Sequence, residues 1–90
     1  MSWFFLYRKT DNVIWLAIPG EPDNPDFEAS CEIWFRGKRR AAGIKWENSD
    51  WVYTESEVPE DIEIPEKYCY DPTTGEIYEN PNYREEENFE

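Results

Sequence analysis

Histidine is absent from this 90-residue chain, cysteine occurs twice, glycine four times, methionine once, and nine basic residues stand against twenty-one acidic ones. Each shortage excludes something. Without histidine the chain lacks the commonest general base and the commonest transition-metal ligand. Cys31 and Cys69 are too few for the disulfide framework of a small secreted domain, do not form a Cys-x-x-Cys pair, and are expected to be reduced. The apolar runs Trp3 to Tyr7 and Val13 to Ile18 fall far short of a membrane span, which takes roughly 20 residues. The opening residues do not read as a cationic, apolar leader, so the expectation is a soluble protein without membrane contact.

What the chain has in surplus is aromatic side chains: five Trp, six Tyr and five Phe, 18% of residues within a hydrophobic fraction of only 39%. A chain this short buries only about 60 to 65% of its unfolded surface, so a few large rings must supply much of the core. The rings outnumber what a minimal core needs, and the surplus points to a contact surface.

Charge divides the chain in two. Residues 1–54 carry seven Lys or Arg against eight Asp or Glu, a net of −1, while residues 55–90 carry two against thirteen, a net of −11. The expected organisation is a compact antiparallel β body over 1–54 and an acidic, Pro- and Tyr-rich extension over 55–90, with a small hairpin at about 68–78 and a flexible end over 84–90. Such an extension repels nucleic acid and membranes and attracts basic protein surfaces, so direct nucleic-acid binding is not expected.

Within the body, Trp3, Phe5 and Tyr7 alternate with Phe4, Leu6 and Arg8, and Val13, Trp15 and Ala17 alternate with Ile14, Leu16 and Ile18. Both runs are rich in aromatic and β-branched residues and read as strands of one hairpin turning through Thr10, Asp11 and Asn12. The second, apolar on both faces, is expected to be the central strand. Pro19, Gly20, Pro22 and Pro25 stop the ladder.

Residues 25–36 stay open between two readings. Asn24 as cap, Pro25 in the first turn and Gly37 at the end favour a helix, whereas a hairpin with Arg36 to Arg40 at its tip would pair Ile33 to Phe35 with Ala42 to Trp46. A further strand is expected near Trp51 to Thr54. Beyond Val58, prolines at 59, 65, 72 and 81 interrupt any regular element, a composition expected to add little core. The fold class is therefore mainly β, a small antiparallel sheet with at most one short helix, α+β being the alternative, followed by a Pro-rich acidic extension.

The chemistry-bearing residues favour binding over catalysis. The run Arg36-Gly37-Lys38-Arg39-Arg40 reads as a solvated turn or a dock for the acidic segment, and Asp71-Pro72-Thr73-Thr74-Gly75 lacks the lysine and glycines of a phosphate loop and reads as a turn. Glu55, Glu57, Glu60, Asp61, Glu63 and Glu66 lack the spacing of a calcium loop, and a chain this short offers little room for a substrate cleft. Neither cysteine has a histidine to activate it. No enzyme, cofactor or metal is expected. Tyr68, Tyr70, Tyr78 and Tyr83, interleaved with carboxylates, either anchor a protein partner through their rings, with Glu60, Asp61, Glu63 and Glu66 setting orientation and partner choice, or fasten the extension to the body.

Trp3-Phe4-Phe5-Leu6-Tyr7 and the distal Tyr70-Asp71-Pro72-Thr73-Thr74-Gly75-Glu76-Ile77-Tyr78-Glu79-Asn80-Pro81-Asn82-Tyr83 resemble short accessory proteins encoded in bacteriophage structural gene clusters. The resemblance implies a virion-associated or assembly protein, located in the virion or the host cytoplasm, whose partner is a virion component or a second copy of the chain. The charge balance resembles a second class, small acidic inhibitors of host nucleases such as anti-CRISPR and anti-restriction proteins, whose carboxylates imitate DNA phosphates and bind a basic host protein.

Overall fold

The computed structural model describes residues 2–84. In chain order its elements are β1 (Trp3–Arg8), β2 (Ile14–Ile18), α1 (Phe27–Ser30), β3 (Ile33–Phe35), β4 (Lys38–Ala41), β5 (Ser49–Thr54), β6 (Tyr68–Asp71) and β7 (Glu76–Glu79). The protein is mainly β: one antiparallel three-stranded sheet ordered β2-β1-β5 and two hairpins, β3-β4 and β6-β7.

The first hairpin closes where the polar break stands. Asn12 takes a left-handed conformation (φ 65°), its N–H donates to the Arg8 carbonyl at 2.8 Å, and the Arg8 N–H donates to the Val13 carbonyl at 2.9 Å. Asn tolerates this geometry because its short polar side chain bonds locally. The Arg8 guanidinium holds Asp11 at 2.9 Å beside the turn. Pairing runs Phe4–Ile18, Phe5–Ala17 and Leu6–Leu16, then shifts to Tyr7–Ile14, leaving Trp15 as an extra residue. This bulge breaks the alternation, so Trp15 and Leu16 both pack on the side of Phe4, while Ile14 and Ala17 share the side of Phe5.

The expectation that the second strand is central is corrected: β1 lies between β2 and β5. Both runs are apolar on both faces, and periodicity alone cannot rank them. Phe4, Phe5, Leu6 and Tyr7 are all buried, whereas Trp15 and Leu16 remain half-buried. The outer side of β2 is partly paired by the later chain, through the Glu66 N–H to the Ile14 carbonyl (2.9 Å), the Tyr70 N–H to the Asn12 carbonyl (2.8 Å) and a bridge between Val13 and Cys69.

Each face of the sheet has its own cover. On one face Phe4, Leu6 and Ile18 pack with Ile33 and Ile44, and Phe27, Phe35, Trp46 and Trp51 close around them. On the other, Phe5, Tyr7, Ile14 and Ala17 pack with Ile62 and Tyr68, flanked by Val58, Tyr70 and Ile77. The proline- and carboxylate-rich stretch, expected to add little core, thus supplies Ile62 at 1% exposure together with buried Tyr68 and Cys69. Isolated apolar residues among charges suffice here, because the strands opposite provide a continuous apolar wall.

Residues 25–36 combine both readings. A single helical turn forms at Phe27–Ser30 and ends at Cys31, whose left-handed backbone (φ 58°) turns the chain into β3. Asn24 does not cap it; its side chain donates to the Glu32 carbonyl at 2.8 Å and accepts the Trp34 N–H at 3.0 Å, bracing the strand that follows. The basic run then forms a two-residue hairpin loop, Arg36 (φ 53°) and Gly37 (φ 79°) both left-handed, as the tightest β connections require. Ile33 to Phe35 therefore pair with Lys38 to Ala41, and not with 42–46 as expected, since the tight loop draws the return strand closer in sequence. Residue 84 is the last described, so nearly all of the end expected to be flexible, 85–90, lies outside the described residues.

Candidate docking surface

Hydrogen bonding along β1 decides which groups of β5 are spoken for. The Lys9 N–H donates to the Asn48 carbonyl at 2.8 Å, and in the same register Tyr7 faces Asp50, Phe5 faces Val52 and Trp3 faces Thr54. Antiparallel pairing alternates bonded and non-bonded pairs, so Asp50, Val52 and Thr54 bond β1 while the amides and carbonyls of Trp51 and Tyr53 point away from the sheet. Because β5 ends the strand order, that outward row is an open sheet edge among the described residues. One outward group is satisfied locally: the Trp51 N–H donates to the carboxylate of Asp50 at 2.8 Å. The Tyr53 N–H and the carbonyls of both residues remain presented outward.

A groove lies against each side of this edge. The first, about 510 Å³, is lined by Phe4, Phe27, Trp51 and Tyr53 with Pro22 and Pro25, and Glu21 and Asp23 border it. Its wall is an interlocked ring cluster: Phe4 stacks on Trp51 at 5.5 Å and 18°, and Phe27 meets Phe4 and Trp51 edge-on, each at 5.2 Å. These are the offset and perpendicular arrangements the ring quadrupoles favour. Glu28 fixes the indoles, its carboxylate accepting the Trp51 N–H at 2.7 Å and its backbone carbonyl that of Trp46 at 2.8 Å. The second groove, about 750 Å³, runs between Val52 and Thr54 of β5, the chain at 56–59 and the β6-β7 loop, with Glu57 and Glu76 among its lining residues.

The eight residues singled out from the sequence do not form one cluster. Asp61 and Tyr68 face each other, the Tyr68 hydroxyl donating to Asp61 Oδ1 at 2.6 Å while Lys67 Nζ bonds the other carboxylate oxygen. The Lys67 ammonium and then the Tyr68 hydroxyl hold the Asp61 carboxyl below its ordinary pKa of 3.8, and accepting by Asp61 pushes the Tyr68 phenol up. Glu66 lies 3.3 Å from Arg8, and Tyr70 packs against Tyr7 with ring centroids 5.1 Å apart. Glu60 and Glu63 are exposed, Tyr78 is 42% exposed, and Tyr83 is half-buried beside Lys67 and Asn80.

Sequence reasoning missed the surface built by Phe27, Trp51 and Tyr53. Tyr53, 37% exposed on an outer strand, belonged to a run already read as a strand, but no local signal says that this strand ends the sheet. The cysteines are free thiols: Cys31 packs against the cluster around Phe4, Cys69 is buried at its bridge to Val13, and burial pushes the Cys69 thiol pKa up. Among the described residues no group of three or more Cys, Asp or Glu is placed to hold a metal ion, and no helix is long and apolar enough to cross a membrane. No family model, no curated protein and no solved structure matches the chain.

Proposed function

We propose that this chain is a non-enzymatic protein-binding protein that serves as a virion-associated or assembly accessory protein of a bacteriophage. The observation that carries the binding role is the open β5 edge between two grooves, one walled by aromatic rings and both bordered by carboxylates. Rings that bury area, with charges at the margin that select the partner, are the anatomy of a protein interface. The phage setting rests on the resemblance of Trp3 to Tyr7 and Tyr70 to Tyr83 to the accessory proteins of structural gene clusters.

A second reading, an acidic inhibitor that imitates DNA before a host nuclease, is favoured by one observation. Mimicry needs carboxylates on a rigid frame, and the segment bearing Glu55, Glu57, Glu60 and Glu63 is anchored by buried Ile62 and by the backbone bond from Glu66 to Ile14. The two readings differ in salt dependence. Tagged protein is incubated with lysate of phage-infected bacteria at low and at high salt, and retained proteins are identified by mass spectrometry. Salt-resistant retention of virion components supports the assembly role. Retention of a nuclease at low salt only replaces it with the inhibitor, and retention of neither defeats both.

A further inference from the structure

We propose that the β5 edge takes up an extended, basic segment of the protein partner as an added antiparallel or parallel strand, its side chains alternating between the two grooves. The inference deepens the protein-binding reading and rests on it.

Three observations converge. First, the Tyr53 N–H and the carbonyls of Trp51 and Tyr53 face outward with no strand beyond them among the described residues. An incoming chain in strand conformation satisfies such a row, and its main-chain hydrogen bonds supply affinity independent of its sequence. Second, the residues of β5 distribute between the grooves as a strand requires: Trp51 borders only the aromatic groove, Val52 and Thr54 border only the other, and Tyr53, on the edge between them, borders both. An added strand has the same period of two, so its successive residues enter opposite grooves. Third, the grooves specify charge. Glu21 and Asp23 border one, Glu57 and Glu76 the other, and no Lys or Arg lines either.

The occupant is therefore basic where it meets Glu57 and Glu76, and apolar or Arg-bearing where it lies on Trp51 and Phe27, whose faces accept a guanidinium as readily as a hydrocarbon. A second copy of this chain fits less well, since a formal net charge of −12 on each copy opposes approach. The Asp50 carboxylate on the Trp51 N–H keeps the edge occupied at one point until a partner arrives, a device by which edge strands avoid indiscriminate pairing.

The test uses a synthetic peptide alternating Lys or Arg with Val or Tyr, binding being followed by tryptophan fluorescence. Its controls are the same peptide N-methylated at alternate amides, in both phases, and a version with Glu replacing the basic residues. The expectation is saturable binding that weakens as salt rises, at least tenfold loss on N-methylation in one phase only, and no binding of the acidic version. On the protein side, Tyr53→Pro deletes the outward N–H without touching a ladder bond and is expected to weaken binding about tenfold relative to Tyr53→Ala, which loses the ring but keeps the N–H. Should Tyr53→Pro unfold, the N-methylated peptides on the unchanged protein still decide. Equal affinity of both N-methylated forms overturns strand addition while leaving an acidic protein-binding surface standing, and failure of the basic peptide overturns the charge assignment. Salt-resistant dimerisation of the protein alone, abolished by Tyr53→Pro, shows that the edge belongs to a second copy and also overturns the proposal.

Discussion

Phe27 is a sensitive point of the aromatic face. It meets Phe4 and Trp51 at 5.2 Å and Trp46 at 6.3 Å, joining α1 to the sheet through its ring beside the hydrogen bond from the Trp51 indole to Glu28. Truncating a fully buried phenyl costs about 3–5 kcal/mol. Phe27 is only half-buried and borders a groove open to solvent, so Phe27→Ala leaves space that water can enter, and the expected cost falls to about 2–3 kcal/mol, roughly 1 of which is lost ring geometry. In a domain of this size each kcal/mol moves the midpoint by about 4–8 °C, so Tm is expected to drop by about 8–24 °C. Urea titration followed by tryptophan emission and far-UV circular dichroism measures the loss, with an unchanged m value and a red shift from Trp46 and Trp51. Phe27→Leu, which keeps most of the apolar area, is expected to lose about 1 kcal/mol. A loss under about 0.5 kcal/mol for Phe27→Ala would refute the claim that interlocked rings hold this face.

Three further outcomes follow from the covered sheet and its ion pairs. A chain ending at Thr54 strips the cover from Phe5, Tyr7, Ile14 and Ala17, at about 1.5–3 kcal/mol for each re-exposed aliphatic or aromatic side chain larger than alanine, and is expected to be unfolded by circular dichroism; a cooperative melt of that fragment would show that the second cover is dispensable. Asp11, bonded to Arg8, and Asp61, bonded to Lys67 and Tyr68, both have carboxyl pKa values lowered from 3.8 by folding. Their stabilisation is present above the unfolded value and is lost as pH falls through the folded values, so the urea midpoint should decline below about pH 4, and Asp61→Asn should flatten that decline; an identical slope would remove Asp61 from the account. With dithionitrobenzoate, half-buried Cys31 should react in the folded protein and buried Cys69, its thiolate disfavoured by burial, only on unfolding; equal rates would contradict the placement of Cys69 against β2.

How much of this was legible in the sequence depends on the range of the interaction that decides each feature. The hairpin from Trp3 to Ile18 was readable because its turn chemistry, Asp11 and Asn12, lies within a few residues of the bonds it makes. Which strand is central was not, because Trp3 to Tyr7 and Val13 to Ile18 carry the same two-sided apolar pattern and only the arrival of β5 on β1 ranks them. The bulge at Trp15 escaped for the same reason: it is defined by register against Leu6 and Tyr7. At residues 25–36 the signals for helix and strand were both real and both used, one after the other, with Cys31 in a left-handed conformation as the hinge between them.

The candidate surface was less legible. Asp61 and Tyr68 stand out in the sequence by residue type alone, but a carboxylate and a phenol seven positions apart gain their meaning from bonding each other. The ring cluster around Phe27 and Trp51 brings together residues 24 positions apart, and the open edge depends on no strand lying beyond β5 among the described residues, which local pattern cannot express. Sequence gave the materials of a contact surface, aromatic and acidic, and topology decided which of them face outward.

The most direct measurement of the open edge is native-state amide hydrogen exchange resolved by residue along β5. Alternation is expected: Val52, bonded to Phe5 of the central strand, exchanges only on global unfolding, while Tyr53, whose N–H faces outward, exchanges orders of magnitude faster. Protection of Tyr53 equal to that of Val52 in the isolated protein would mean that the edge is already occupied, and would contradict the docking surface.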